Sequence, residues 1–432
     1  MPDVLSGTPS RILAYHDPRM AGGSFISRLV SGLTERRLRV HGLILATCLW
    51  SSYVIDLAHP GVLDRFGLTK GTDFVHFYTL GTLALEGRAS ELYNSGAQAT
   101  LAAQLVPGVP VLYYVALYGP QVSLFFAPFA KLPYVWALCL WWLFSAAIYG
   151  GCCYAVWRTC PRLRTHSGTV FILAIAYPAF FHLIAWGQTS APALLCFTLA
   201  FLALRARHPV AAGLAIGLLA FKPPLAVATA VVFLFSKEWK MVGGALISAA
   251  VQMATAWAYY GTSVMRDYWD ALRHLREVFP YLEPRPYQMH SLRSFWSFVI
   301  PSPTVAFAAY VLTGTAVLVF TVIIWRRSNL SLTLKFPALL IATVLVAPHL
   351  TVYDLVILAP AFLLLADWTI DHPVDPFSPS LRIMLYLAYA LPLVGPLAQW
   401  THLQLSVLVF GGLLYCLWRI AQQERLALAV AS

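Results

Sequence analysis

Charged residues are scarce in this chain. Only 11% of its 432 residues are Asp, Glu, Lys or Arg, whereas 59% are hydrophobic. A soluble domain carries about 25% charged residues. Apolar stretches of about 17–25 residues recur from end to end, which is the length needed to cross a bilayer core of roughly 30 Å. The composition therefore excludes an ordinary water-soluble protein and predicts an all-α integral membrane protein.

Several motifs that carry familiar chemistry are also missing. The sequence has neither GxxxxGK[ST] nor GxGxxG after a strand, which argues against a nucleotide-phosphate site. It has no HExxH, and its seven cysteines show no metal-ligand or disulfide spacing. The net charge of +11 comes from short basic clusters between apolar stretches, as in membrane topology signals. We therefore expect no metal, no other cofactor and no nucleic-acid partner.

The apolar stretches predict about twelve transmembrane helices. Their approximate bounds are 41–57, 134–157, 168–186, 189–204, 210–221, 224–236, 241–260, 304–325, 336–348, 353–369, 382–397 and 402–420. Short basic loops stay in the cytoplasm, and most of them fall on one side if the N-terminus is cytoplasmic. We therefore predict a basic cytoplasmic arm (1–40), one transmembrane domain (41–420) and a cytoplasmic tail (421–432), in a cytoplasmic (inner) membrane.

Two long loops, 58–133 and 261–303, lie on the outer side in this topology. Segment 117–133 is apolar enough to span, but a span there would move the next basic loop outside and invert all that follows. We therefore predict an interfacial or re-entrant segment, broken by Pro120 and Pro128. Such uneven loops favour a functional site on the outer face.

Asp73 has the most informative setting among the outer acidic residues. It opens TDFVHFYTLGTLALEG (72–87), which predicts an amphipathic helix with Thr72 as N-cap and Gly87 just past the end. The helix dipole favours an ionised carboxylate in the first turn, and such a carboxylate is a good proton acceptor. We identify Asp73 as a candidate base, with His76 on the same face. Helix-end electrostatics alone is the simpler interpretation, and it stays open.

Asp354 begins a predicted span in HLTVYD (349–354). It is a second candidate, although a helix-terminal carboxylate or a partner for His349 explains it as well. His349 follows Pro348 at the outer edge, where its ring can donate a hydrogen bond to a phosphate or a sugar hydroxyl. A histidine that is simply satisfied at the interface is the alternative.

Lys222 lies between two apolar stretches, in AFKPPLA. The chain turns at Pro223–Pro224, so the ammonium is held by backbone in a way that suits a phosphate clamp. The alternative is a lysine that extends to the lipid headgroups. Gln188 and Arg293 belong to the same side of the predicted topology. Polar groups that converge on one face are the minimum for a site.

These features together resemble the GT-C class of membrane glycosyltransferases, and more narrowly glycosyltransferase family 87, the polyprenyl-phosphate-mannose-dependent mannosyltransferases. The resemblance rests on Asp73–Phe74 with Tyr78, EGRASELY (86–93), Tyr118-Gly119-Pro120, Gly187–Gln188, Lys222–Pro223, and Pro348-His349 with Tyr353–Asp354. Family members often have Tyr-Pro-Pro where this chain has Tyr118-Gly119-Pro120. The first outer loop also lacks the Asp-any-Asp pair of metal-dependent oligosaccharyltransferase relatives.

The resemblance implies a GT-C-like helical bundle that transfers a sugar, mannose or a related hexose, with inversion. It implies a polyprenyl-phosphate sugar as donor, a glycolipid or glycan as acceptor, and a site on the periplasmic (extracytoplasmic) face. Asp73 would be the catalytic base. The residues implied to bind the donor phosphate or the substrates are Lys222, His349, Gln188, Arg293, Tyr118, His76 and Asp354.

Two other functions remain open at this stage. A transporter or flippase for a lipid-linked sugar would place charged groups at mid-membrane within broken helices, and few such groups are present. An O-antigen-ligase-like enzyme would work on the same face but use a diphosphate-linked donor. Movement of substrate without covalent change would identify a transporter or flippase. A comparison of monophosphate with diphosphate carriers distinguishes the glycosyltransferase from the ligase-like enzyme.

Overall fold

The computed structural model describes residues 25–108, 113–275, 277 and 286–431. Their α-helices, in chain order, are α1 (Phe25–Gly32), α2 (Glu35–Leu57), α3 (Phe74–Leu85), α4 (Ser95–Leu105), α5 (Gln121–Ala130), α6 (Tyr134–Trp157), α7 (Ser167–Ile175), α8 (Pro178–Trp186), α9 (Ser190–Arg205), α10 (Pro209–Gly217), α11 (Val227–Phe235), α12 (Trp239–Arg273), α13 (Leu292–Val299), α14 (Pro303–Trp325), α15 (Leu332–Val346), α16 (Ala359–Asp371), α17 (Ser378–Ala390), α18 (Ala398–Thr401) and α19 (Leu405–Ala431). Within these residues the only β-structure is two isolated bridges. The all-α prediction is confirmed for this part of the chain.

Seven helical segments of the described residues are long and apolar enough to cross a membrane. They are Glu35–Leu57, Tyr134–Trp157, Trp239–Arg273, Pro303–Trp325, Val352–Asp371, Ser378–Thr401 and Leu405–Gln423. Helix α8 and the segment Leu163–Ile175 form an eighth if a pair bent by 43° counts as one span. The bend falls at Tyr177, whose helical conformation the following proline disfavours. The protein is a helical membrane protein.

Four of the predicted spans correspond to shorter helices: Ser190–Arg205, Pro209–Phe221, Pro223–Phe235 and Leu332–Val346. At 1.5 Å per residue even sixteen residues cover only about 24 Å, less than a bilayer core. Twelve of the fifteen residues of α15 are buried, so this helix is surrounded mainly by protein rather than lipid. A count of twelve full spans therefore stays a prediction.

Several boundaries differ from the predicted ones. Helix α2 already begins at Glu35, inside the predicted arm (1–40), and α19 continues through the predicted tail to Ala431. Helix α12 continues past its predicted end to Arg273, with a break at Gly261, where φ is +77°. Hydropathy marks only the apolar part of a helix, whereas backbone hydrogen bonding continues into its polar ends.

The predicted outer loop 58–133 contains α3, α4 and α5. The prediction that α3 is amphipathic is wrong, because every residue from Phe74 to Ala84 is buried. Helix α5 has ten residues and is too short to cross a membrane, so an interfacial or re-entrant segment stays the prediction. Pro120 is its N-cap, but the predicted break at Pro128 is wrong, because Pro128 lies inside the helix.

Helix α5 packs closely on α3 because Gly81 has no side chain; a Cβ there would lie 2.6 Å from the carbonyl oxygen of Phe126. The rings of Phe77 and Phe126 stack at 4.9 Å. This packing holds the N-terminus of α3 against the bundle.

Candidate active site

Asp73 is the N-cap residue of α3, but its side chain does not cap the helix. The prediction that Thr72 is the N-cap is wrong, because the hydroxyl of Thr72 donates to the carbonyl of Thr69 instead. The Asp73 carboxylate turns toward another helix end, where its Oδ2 accepts a 2.7 Å hydrogen bond from Nε2 of Gln188. This bond holds one carboxylate oxygen in place and does not involve the other, Oδ1.

Gln188 is itself fixed. Its Oε1 accepts a hydrogen bond from the backbone N–H of Thr189 at 3.1 Å, which leaves the amide nitrogen to face Asp73. The backbone N–H of Asp73 donates to the carbonyl of Trp186 at 3.0 Å. The end of α8 and the start of α3 are thus joined through both backbone and side chain.

Gly187 makes this junction possible. It ends α8 with φ at +69°, and a Cβ there would lie 2.7 Å from Cβ of Phe74. The indole N–H of Trp141 donates to the carbonyl of Gly187 at 2.9 Å. A residue without a side chain is needed here for conformation and for space.

We expect Gly187→Ala to move Asp73 and reduce both stability and activity. Gly61→Ala is a matched control, because Gly61 has φ at +81° but nothing lies within 4 Å of the position that a Cβ would take. Both variants lose about 1–2 kcal/mol from the left-handed backbone, and only Gly187→Ala also suffers the clash. Unfolding and transfer assays on the pair check this; equal losses in both would contradict a specific role for Gly187.

Lys222 and Asp354 form a buried ion pair. The Lys222 ammonium lies 2.5 Å from Asp354 Oδ1 and 3.0 Å from the hydroxyl of Ser190. Ser190 donates to the same carboxylate oxygen at 2.6 Å. Asp354 is fully buried and the Lys222 side chain is 9% exposed. The ammonium also lies 5.2 Å from the centre of the Tyr353 ring, within cation–π range.

The second carboxylate oxygen of Asp354 is occupied as well. It accepts hydrogen bonds from the backbone N–H and the hydroxyl of Thr351, at 3.1 and 3.2 Å, which form a capping box at the start of the 3₁₀ segment Val352–Leu358. Sequence reasoning missed Ser190 and Thr351. The spacing of Thr351 and Asp354, typical of a capping box, was a usable signal, whereas Ser190 carried none.

Burial raises the pKa of Asp73 to about 6, and the hydrogen bond from Gln188 and the charges of Lys222 and His349 oppose that rise. The N-terminus of α3 lies outside the candidate spans. The expectation of a strongly stabilised anion at a helix end is therefore replaced by a partly desolvated carboxylate. A carboxylate with a pKa near the working pH is a better base than an ordinary aspartate.

His76 lies one turn along α3 and is 4% exposed. Its ring stacks on Tyr114 at 4.8 Å and lies 5.7 Å from the Tyr118 ring. Neither ring nitrogen has a hydrogen-bond partner among the described residues. Burial lowers the pKa of His76 to about 4, so the imidazole is neutral. Unpaired buried nitrogens beside Asp73 offer a place for a substrate hydroxyl.

Helix α13 and the segment before it bring Arg293 to the same region. Met289 forms an antiparallel bridge with Thr351, and the Arg293 guanidinium donates to the carbonyl of Pro348 at 3.3 Å. His349 lies close enough to Asp73 to act on its carboxylate electrostatically. The residues that sequence reasoning selected from distant parts of the chain thus gather at one end of the bundle: Asp73, His76, Tyr118, Gln188, Lys222, Arg293, His349 and Asp354.

Within the described residues, no group of three or more His, Cys, Asp and Glu side chains is arranged to hold a metal ion. Asp73 and Asp354 are instead engaged by an amide and an ammonium. The chemistry that these residues support is proton transfer and anion binding.

Comparison with known proteins gives one family. The model of glycosyltransferase family 87 matches residues 116–348, more than half of the chain. Searches of curated proteins and of solved structures gave no significant match. Asp73 lies before the matched range and Asp354 after it, so geometry, rather than the match, carries their roles. The chain belongs to glycosyltransferase family 87.

Proposed function

We propose that the protein is an inverting glycosyltransferase that moves a hexose, mannose or a close relative, from a polyprenyl phosphate to a lipid or glycan acceptor on the outer face of the inner membrane. The observation that carries the proposal is a half-buried aspartate, held through one oxygen only by Gln188, beside a buried lysine. The aspartate can act as the base, and the lysine can bind an anionic leaving group. We further propose that the bundle is GT-C-like.

Asp73, and not Asp354, is the base. Both oxygens of Asp354 are occupied by hydrogen-bond donors, and the side chain has no exposed surface. Asp73 is half-buried, its bond to Gln188 uses Oδ2 alone, and burial raises its pKa. Asp73 can take a proton on Oδ1 while it keeps the bond to Gln188, whereas Asp354 would have to give up a structural hydrogen bond.

Lys222 holds the donor phosphate, with His349 and Arg293 at the other side. Asp354 and Ser190 fix the ammonium, which has a third N–H to donate. Because Asp354 neutralises Lys222, a phosphate needs more positive charge than one lysine supplies. In this proposal Arg293, whose guanidinium donates to the carbonyl of Pro348, supplies that charge, and His349 donates a hydrogen bond to the phosphate.

The reaction needs a single carboxylate. The acceptor oxygen attacks the anomeric carbon, its proton passes to Oδ1 of Asp73, and the bond from that carbon to the phosphate oxygen breaks with its electron pair on phosphate. A glycosidase needs a second carboxyl group because it must protonate a poor leaving group. A phosphate leaves as a stable anion, and cations placed in a site of low dielectric stabilise the developing charge. Neutral His76 is available to orient the acceptor hydroxyl.

A transfer assay tests the function. Membranes that contain the protein are supplied with labelled polyprenyl-monophosphate mannose or with the corresponding diphosphate-linked sugar. We expect label to appear covalently in a membrane glycolipid or glycan from the monophosphate alone. Transfer only from the diphosphate would favour a ligase-like enzyme, and movement of intact donor across liposomes without transfer would favour a flippase.

A further inference from the structure

A cavity lies in the half of the bundle away from Asp73. Its volume is about 370 Å³, and its walls come from α2, α6, α7, α16 and α17. The lining of α16 extends from Ala359 to Ile370, about 16 Å along the helix axis. That length is close to one leaflet of a bilayer whose core is roughly 30 Å thick. Most lining side chains are half-buried, so the cavity is open on its side.

Loose packing of α2 creates this space. Gly42 is the only buried residue of the helix, where it meets Ile172 of α7. On the other side α2 reaches α17 through a hydrogen bond between His41 and Tyr386, at 3.0 Å. Between these two contacts the apolar walls, with Leu173 and Leu363 among them, face each other across a gap. Protein interiors are close-packed, so an apolar gap of this size in a membrane calls for a hydrocarbon occupant.

One end of the cavity carries positive charge. Arg382 lines it and donates to the carbonyl of Thr369 at 2.6 Å, with no carboxylate within ion-pair distance among the described residues. The acidic side chains nearby are engaged elsewhere. Asp367 accepts from the backbone of Leu163, and Asp371 pairs with Arg162.

The lining itself contains one acidic residue among those described, Glu35, and it is paired. Glu35 pairs with Arg39 at 2.5 Å and with His166 at 2.9 Å, and it accepts a hydrogen bond from Thr169. Arg382 is therefore a guanidinium without a carboxylate partner among the described residues, at one end of an apolar cavity. An anionic headgroup followed by a hydrocarbon chain matches this arrangement.

We propose that this cavity binds one anionic phospholipid of the surrounding leaflet, with its phosphate on Arg382 and one acyl chain between α2 and α16. The lipid fills the gap that α2 leaves and fastens the first span to the bundle. The polyprenyl carrier is a poorer occupant, because the proposed reaction needs its phosphate beside Lys222, at the other end of the Val352–Asp371 segment. The choice of a phospholipid over the polyprenyl carrier rests on the proposed reaction, whereas the presence of a lipid in the cavity does not.

Native mass spectrometry and thermal unfolding of the purified full-length protein test the inference. We expect one phosphatidylglycerol to remain bound after mild delipidation, and added phosphatidylglycerol to raise Tm more than phosphatidylcholine does. Arg382→Gln should weaken phosphatidylglycerol binding by about tenfold, the effect of one lost charged hydrogen bond. Arg326→Gln is the control, because Arg326 is exposed and does not line the cavity.

A second variant tests the position of the acyl chain. Ala366→Trp places an indole in the cavity and should abolish retention of the phospholipid, with the Tm of the lipid-free protein little changed. Unaltered retention in Ala366→Trp, equal effects of the two arginine variants, or no bound lipid at all would overturn the inference. Displacement of phosphatidylglycerol by polyprenyl phosphate would overturn the choice of a phospholipid.

Discussion

Asp73→Asn lowers kcat for sugar transfer by about 10²–10⁴-fold, the usual contribution of a general base. Asparagine keeps the shape of the side chain but cannot accept the proton of the acceptor hydroxyl. Asp270→Asn is the matched control, because Asp270 is exposed and pairs with Arg273, at 3.5 Å. Activity in Asp73→Asn equal to that of Asp270→Asn would remove Asp73 from the mechanism.

The pH dependence of the wild type supplies an independent readout of the same residue. Asp73 must be ionised to act as base, and burial raises its pKa to about 6. Wild-type kcat/KM should therefore fall by about tenfold per pH unit below that value and level off above it. A profile that stays flat well below pH 6 would contradict the assignment.

Stability should respond to Asp73 in the opposite sense to activity. Because the pKa of Asp73 is higher in the folded protein than in the unfolded chain, its contribution to stability is present at low pH and is lost as the pH rises through about 6. At neutral pH the neutral asparagine then removes a buried charge. We expect Asp73→Asn to show the reduced kcat and to be at least as stable as the wild type, which separates a catalytic defect from a folding defect.

Lys222→Met should be destabilised by about 3–5 kcal/mol, because the variant leaves the charge of Asp354 buried without a partner. The double variant Lys222→Met/Asp354→Asn should recover most of that loss, since it buries neither charge. Asparagine can still bond Ser190 and Thr351. Chemical denaturation of the three proteins measures the coupling between the two residues.

Transfer activity distinguishes a structural lysine from a phosphate ligand. If Lys222 only balances Asp354, the double variant regains activity together with stability. If Lys222 holds the donor phosphate, the double variant is stable but its transfer activity stays strongly reduced, with a raised KM for the donor. We expect the second result.

The sequence predicts the members of the site better than their contacts. Polar residues are so few in the apolar chain that Asp73, Lys222 and Asp354 stand out once the topology is drawn. The pairing of Lys222 with Asp354 joins positions 132 residues apart and depends on the turn at Pro223. No local pattern encodes such a contact. The role of Gly187 likewise appears only when Phe74 is in place beside it.

The span count illustrates a second limit. Hydropathy measures how apolar a stretch is, but not where its helix ends. Pro209 and Pro223 begin helical segments that are too short to cross a bilayer alone. The loose fit of α2 was equally invisible, because its sequence is as apolar as that of a packed helix. Burial depends on which partner faces each side.

An experimental structure with a non-hydrolysable polyprenyl-phosphate sugar tests the central claim most directly. We predict that the phosphate lies within hydrogen-bond distance of the Lys222 ammonium and that the anomeric carbon faces Oδ1 of Asp73 across the space for one acceptor hydroxyl. A phosphate bound away from Lys222, or a sugar whose anomeric carbon points away from Asp73, would contradict the account.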